Sequence, residues 1–333
     1  MTTTRLLSMR RVSRYRVVVL YALTGILGFG SCVNPIGPLR DSRGLLLVVR
    51  GDYGPGTEIY AMRPDGSAMR RLTQNNVLDS HPDWSPDGER VVFVSTPDSN
   101  PGQSSRRPDI FVMNADGSEV RRLFQSSLYA THPSWSPDGR HIAFENYDPA
   151  VGESRVYVMD ADGSNVRQIP SPAGPNYWPE WSPDGTRILF LSSRPPRGSW
   201  TMYIVNADGT GERQLSDDSA CLSHVSVPKW TPDGSRIGYL CDSDQGSIYT
   251  VRADGTDRQL LIPPRAGKQS YEYAPVWSRD GSQVAFASDR DTPDDLMEAT
   301  WHIFVASASG DSITRITTDS AGYHVTDWGP PRP

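Results

Sequence analysis

Four of the six histidines in this 333-residue chain, His81, His132, His224 and His324, stand a few residues ahead of a recurring tryptophan. The same short stretches hold Tyr177, Trp178, Glu272 and Tyr273. Imidazole nitrogens, a carboxylate and aromatic rings with polar tips suit a sugar, a peptide end or a divalent metal held by two or three of the histidines. A plainer explanation competes at His81 and His132: each opens a repeated His-Pro pair, and its imidazole could simply pack or hydrogen-bond at a strand start. His224 and His324 lie off that register, and for them both explanations stay open.

The elements that carry these residues come from a repeat. Tryptophan recurs at 84, 135, 181, 230, 277 and 328, at spacings of 46 to 51 residues, and five of the six begin a "WSPDG"-like phrase. A second phrase alternates with it: "RPDG" (63–66), "NADG" (114–117), "DADG" (160–163), "NADG" (206–209), "RADG" (252–255) and "SASG" (307–310). Between them run apolar segments with the two-residue period of strands, such as Ile142/Phe144, Ile188/Phe190 and Ile110–Met113. Pro, Asp and Gly in "SPDG" fit a tight hairpin turn, and so does "ADG". Each unit therefore reads as four antiparallel strands, A to D, and units of this kind and period make a β-propeller. The first unit lacks a strand A, and the last residues, "YHVTDW" (323–328), form a strand A with nothing after it. The C-terminal strand is thus expected to complete the first blade, giving an all-β, six-bladed ring over residues 44–333.

In such blades the A–B and C–D hairpins share one face, while the B–C loops and D–A segments share the other. The irregular connections at 95–109, 145–155, 192–200 and 288–300 fall on the second face, together with the histidine-bearing stretches at the channel mouth. Arginines on the outermost strands, among them Arg70, Arg121, Arg167 and Arg213, are expected to discourage edge pairing. "DADG" and the Asp242/Asp244 pair have a faint calcium-loop look but lack the distal carboxylate such loops need, so both read as turns.

The N-terminus is of another kind. Five arginines between Arg5 and Arg16 precede an apolar run from Val17 to Phe29 and the small residues of "GFGSC". That run is shorter than the ~20 residues of a membrane span, so residues 1–31 read as a secretion signal. Its end resembles a bacterial lipobox with Cys32 as the lipid-bearing residue, and 32–43 as a tether. The formal charge is −6 over the whole chain; beyond the leader, 28 basic residues face 39 acidic ones. Nothing in that balance invites nucleic acid, and any membrane link is expected through the lipid alone. Cys221 and Cys241, assigned to a D–A segment and to the end of strand B in one blade, are expected to form a disulfide closing about 20 residues and contributing ~3 kcal/mol.

The phrases "HPSWSPDGRHIAF" (132–144) and "IFVMNADGSEVRRL" (110–123) resemble the WD40-like repeat of the TolB family, and also the propellers of prolyl-oligopeptidase-type peptidases and oligogalacturonate lyases. The resemblance covers residues 45 to 330. TolB proteins carry an α/β domain ahead of the propeller, for which residues 33–44 are expected to leave no room. The Gly-x-Ser-x-Gly phrase of the peptidases does not occur in the sequence. The resemblance implies a non-catalytic, exported and monomeric propeller that binds a protein or peptide of the cell envelope without a cofactor. The alternative it leaves is a channel-centred enzyme of the lyase type, or a carbohydrate-binding protein, with one divalent metal in the channel.

Overall fold

Alternating apolar residues and Gly-bearing turns fold this chain into six four-stranded antiparallel sheets. The computed structural model describes residues 44–51, 53–96, 107–125, 129–148, 152–171, 174–194, 200–215, 225–241, 246–265, 272–292 and 300–331. The leader, the tether and Cys32 lie outside the described residues, as do His224 and Cys221. Within the unit spanning 38–333, blade one is built from Leu46–Arg50, Glu58–Met62 and Arg70–Arg71, with Tyr323–Trp328 as its inner strand. The ring is therefore closed by the C-terminal strand, as the phase of the repeat requires. The other inner strands are Asp79–Trp84, Tyr129–Trp135, Asn176–Trp181, Val225–Trp230, Glu272–Trp277.

The core lies between blades. Each repeat tryptophan is buried in an apolar cluster shared with the preceding blade: Trp84 meets Leu47 and Ile59, Trp135 meets Val92 and Ile110, and Trp230 meets Leu189 and Ile204. Within five blades an aromatic pair joins strands B and C at the same register, with Phe93 opposite Phe111, Phe144 opposite Tyr157 and Phe286 opposite Phe304. Their ring centroids lie 5.7 to 5.8 Å apart, within the range in which aromatic pairs attract.

The turns lock neighbouring blades as well as reversing the chain. In the second phrase, glycine sits at positive φ, as at Gly255 (φ 91°), and a Cβ there would stand 1.6 Å from the Leu215 carbonyl oxygen of the preceding blade. Backbone conformation and lack of room together require glycine. The outer-strand arginines reach across the same seam: Arg167 donates to the Ala207 carbonyl at 2.8 Å and Arg213 to the Ala253 carbonyl at 2.7 Å. These side chains tie blades together in addition to placing charge on short edge strands.

Most of these turns also hold an aspartate ionised. The Ser182 hydroxyl and the Thr186 N–H donate to Asp184 and lower its pKa to about 2, and Asp116, Asp208 and Asp254 are lowered in the same way by Ser118, Thr210 and Thr256. A carboxylate lowered on folding stabilises the fold above its unfolded pKa, ~3.9 for Asp, and that contribution disappears as pH falls through the folded value. The thermal midpoint followed by circular dichroism is expected to drop as pH falls from about 4 toward 2, less steeply for Asp184→Asn; a flat profile over that interval would contradict the assignment.

Candidate functional site

Every inner strand breaks its alternation at one place. The ladder to strand B skips between Ser80 and Asp83, Thr131 and Ser134, Tyr177 and Glu180, Ser226 and Lys229, and Tyr273 and Val276. The third residue before each tryptophan in these strands, namely His81, His132, Trp178, Val227 and Ala274, takes φ between 44° and 51° and is followed by proline. The proline lacks an N–H for the ladder, and the bulge re-aims the residue before it. The result is a ring of side chains around the channel mouth on the face of the irregular loops. They line a cavity enclosing about 550 Å³ of space continuous with solvent, together with Tyr53, Val325 and Thr326.

One half of this ring is aromatic. The His81 and His132 rings lie 4.0 Å apart, and His132 meets Trp178 at 5.5 Å. Trp178 in turn contacts Trp200 at 5.8 Å, and Tyr177 packs on Trp200 at 4.8 Å. In the other direction Tyr53 lies 6.0 Å from His81 and 4.9 Å from His324, which also meets Trp301 at 5.5 Å. The opposite half of the ring is small and apolar, from Val227, Ala274 and Val325.

His132 is held by its neighbours. Trp178 Nε1–H donates to its Nε2, leaving Nδ1–H to donate to the buried Glu145 at 3.0 Å; the other Glu145 oxygen accepts from the Ser154 hydroxyl at 2.8 Å. His81 Nδ1 lies 3.0 Å from Ser80 Oγ. Burial drives the His81 pKa well below its ordinary value, and the adjacent His132 and His324 imidazoles work in the same direction, so at neutral pH this imidazole carries no charge.

Beneath the aromatics lies a ring that sequence reading passed over, formed by the residue immediately before each tryptophan. In chain order it reads Asp83, Ser134, Glu180, Lys229, Val276 and Asp327. Asp83 and Glu180 line both this cavity and the one opening on the hairpin face, which puts them at the waist of the channel. Asp327 accepts the Trp84 backbone N–H at 2.8 Å and Asp83 accepts that of Trp135 at 2.7 Å, each across a blade boundary. Lys229 Nζ is 2.7 Å from Glu180, with less than a fifth of either side chain exposed. Burial raises the Asp83 pKa well above its ordinary value, and the Asp327 charge adds to this; burial likewise raises Glu180. Burial opposes the Lys229 ammonium, yet Glu180, Asp83 and Asp327 hold it charged and raise its pKa. The signal was present in the sequence as a position that varies between acid, base and neutral inside an otherwise uniform phrase.

The candidates named from sequence are distributed unevenly. His81, His132 and Trp178 come together at the cavity, and His324 joins them through Tyr53. Tyr177 braces Trp178 from behind, outside the lining, its hydroxyl pKa raised by burial and by the nearby Glu145 carboxylate. Glu272 is fully buried at the start of its strand, where it pairs with Arg290 at 2.7 Å, and it does not line the cavity. Tyr273 sits at the bulge of the same strand, and its side chain lies outside the described residues. Both nitrogens of His132 are already engaged, and among the described residues, which do not include His224, no group of three or more His, Cys, Asp or Glu is placed to hold a metal ion. Cys241 ends strand B of blade five and is disulfide-bonded; Cys221, the partner expected from sequence, is beyond the described residues.

Comparison with known proteins comes to the same architecture. The family model of the TolB beta propeller domain matches residues 40–148 and 102–220. An uncharacterised protein of Agrobacterium fabrum is 37% identical over 99 residues, 28% of this chain and 33% of its own length. The Tol-Pal system protein TolB of Alcanivorax borkumensis is 33% identical over 94 residues, 28% of this chain and 20% of that protein. The chain thus spans a third or less of these curated relatives. The crystal structure of TolB from Acinetobacter baumannii superposes with a TM-score of 0.69 over 89% of this chain and 69% of that one, at 17% identity, a likeness of fold.

Proposed function

This chain belongs to the TolB beta propeller domain family, and from that membership we propose that it is a non-catalytic, exported binding protein that takes a protein or peptide partner of the cell envelope at its channel mouth. The observation that carries this reading is the arc of His81, His132 and Trp178, re-aimed into one cavity by three successive bulges. Rigid aromatic side chains on a strand scaffold bury large area on binding at little entropic cost, which is what a recognition surface needs. The Tol-Pal relative supports an envelope setting, and the basic and apolar leader supports export. In this reading the protein is a monomer, holds no resident metal or other cofactor, binds no nucleic acid and touches the membrane only through a lipid on Cys32.

The test uses peptides selected from a random display library on the folded protein. They are expected to lose about tenfold or more in affinity for Trp178→Ala, measured by calorimetry, with its melting temperature as the control for folding. Asp184→Asn, on the opposite face, is expected to bind them as the parent does. Peptides that ignore Trp178 and respond to the hairpin face would overturn the reading.

A further inference from the structure

We infer that this channel, taken as the partner site proposed above, admits a positively charged group of the partner, a side-chain ammonium or guanidinium or a free amino terminus, and seats it on the carboxylates of the waist. Asp83 and Glu180 line the mouth cavity together with one ammonium, Lys229, which is already paired with Glu180, and Asp327 stands beside Asp83 and Glu180 on the hairpin-face side of the waist. Among the described residues neither Asp83 nor Asp327 forms an ion pair, and Lys229 acts on both only through its charge. Asp83 is 9% exposed, lends one oxygen to the Trp135 N–H, and lines the cavity with a second oxygen that accepts no hydrogen bond among the described residues. A carboxylate so placed is costly to leave unpaired. Its raised pKa fits that cost, since burial and the Asp327 charge favour a bound proton whose place an incoming cation would take.

The walls fit the same ligand. The indole of Trp178 attracts cations, and His81, kept neutral by burial and by the neighbouring imidazoles, sets no charge against one. His132 spends its lone pair on Trp178. On the far side Val227, Ala274 and Val325 offer an apolar strip for the aliphatic stem of a lysine or arginine. An anionic ligand would meet none of these advantages and would have to approach Asp83 and Asp327.

The experiment is calorimetric titration of the full chain with blocked tetrapeptides, alike except for one residue: lysine, arginine, norleucine or glutamate. An unblocked glycine peptide tests the amino terminus as the source of charge. At least one cationic peptide is expected to bind about tenfold more tightly than the norleucine peptide, Asp83→Asn to remove most of that difference, and Lys229→Met to tighten cation binding about threefold. Should Lys229→Met leave Glu180 too poorly compensated to fold, Lys229→Met with Glu180→Gln serves in its place and should bind no more weakly than the parent. Equal binding of norleucine and lysine, no binding of any peptide up to about 10 mM, or displacement of the lysine peptide by equimolar calcium would each overturn the inference. Library peptides that need Trp178 but show no dependence on charge would leave the partner site standing and remove only this inference; cationic peptides indifferent to Trp178 would do the reverse.

Discussion

Deletion of residues 323–333 is expected to leave a protein with no cooperative unfolding transition. The deleted strand pairs with Leu46–Arg50 along its length and buries Tyr323, Val325 and Trp328, each at most 4% exposed. These three share one cluster with Leu46, Val48 and Met62 of blade one and with Val276, Ala285 and Ile303 of blade six. Asp327, which fastens the Trp84 N–H of blade two, is lost with them. Large-to-small changes at buried aromatics cost ~3–5 kcal/mol each. Two such losses, one valine and a bared strand edge sum to on the order of 10 kcal/mol, comparable with the whole stability of a typical domain. Urea titration followed by circular dichroism is the measurement, and a truncated chain with the parent's midpoint and slope would refute the account. A permutant separates loss of the strand from loss of material. Trp328 lies opposite Leu46, so residues 323–328 placed first and joined to Leu46 by a "SPDG"-type turn rebuild the hairpin of the other blades. That protein is expected to regain a cooperative transition.

The blade count and the closure could be read because both rest on local chemistry that repeats. Turn glycines, strand alternation and a tryptophan every 46 to 51 residues are visible one unit at a time. The site was harder to read. Strict alternation along Asp79–Trp84 or Asn176–Trp181 does not reveal a bulge, and the bulge decides that Trp178 rather than Tyr177 lines the cavity. Glu272 resembled a mouth residue because its partner, Arg290, stands 18 residues further on and announces itself only once the sheet is assembled. The charged waist escaped for a related reason. Asp83, Glu180, Lys229 and Asp327 each follow or replace an expected part of the repeat, and only closure of the ring brings their charges together. The outer-strand arginines show the same limit, since their carbonyl acceptors belong to the next blade.

A steric cycle at the boundary of blades five and six is the second large effect. Against each repeat tryptophan the preceding blade sets one residue of strand B: Leu47, Val92, Ala143, Leu189, Gly238 and Ala285 in chain order. Gly238 alone has no side chain, and Trp277 fills the space; a Cβ on Gly238 would stand 2.0 Å from Trp277 Cη2. Gly238→Leu should therefore cost at least ~1–3 kcal/mol through overpacking. Trp277→Ala should cost ~3–5 kcal/mol, since the ring is 92% buried among Ile248, Ile262, Phe286 and Phe304. Combined, the leucine occupies part of the void left by the indole, so the double variant should be more stable than the sum of the two losses by ~1–3 kcal/mol. Simple additivity in urea unfolding would mean that the two residues do not share one space. The consequence reaches the channel, because the strand that ends in Trp277 also carries Ala274 in the cavity wall. Gly238→Leu pushes on that strand while leaving the aromatic arc of blades two to four untouched. Peptide affinity should therefore fall in this variant and recover in the double variant, in step with stability.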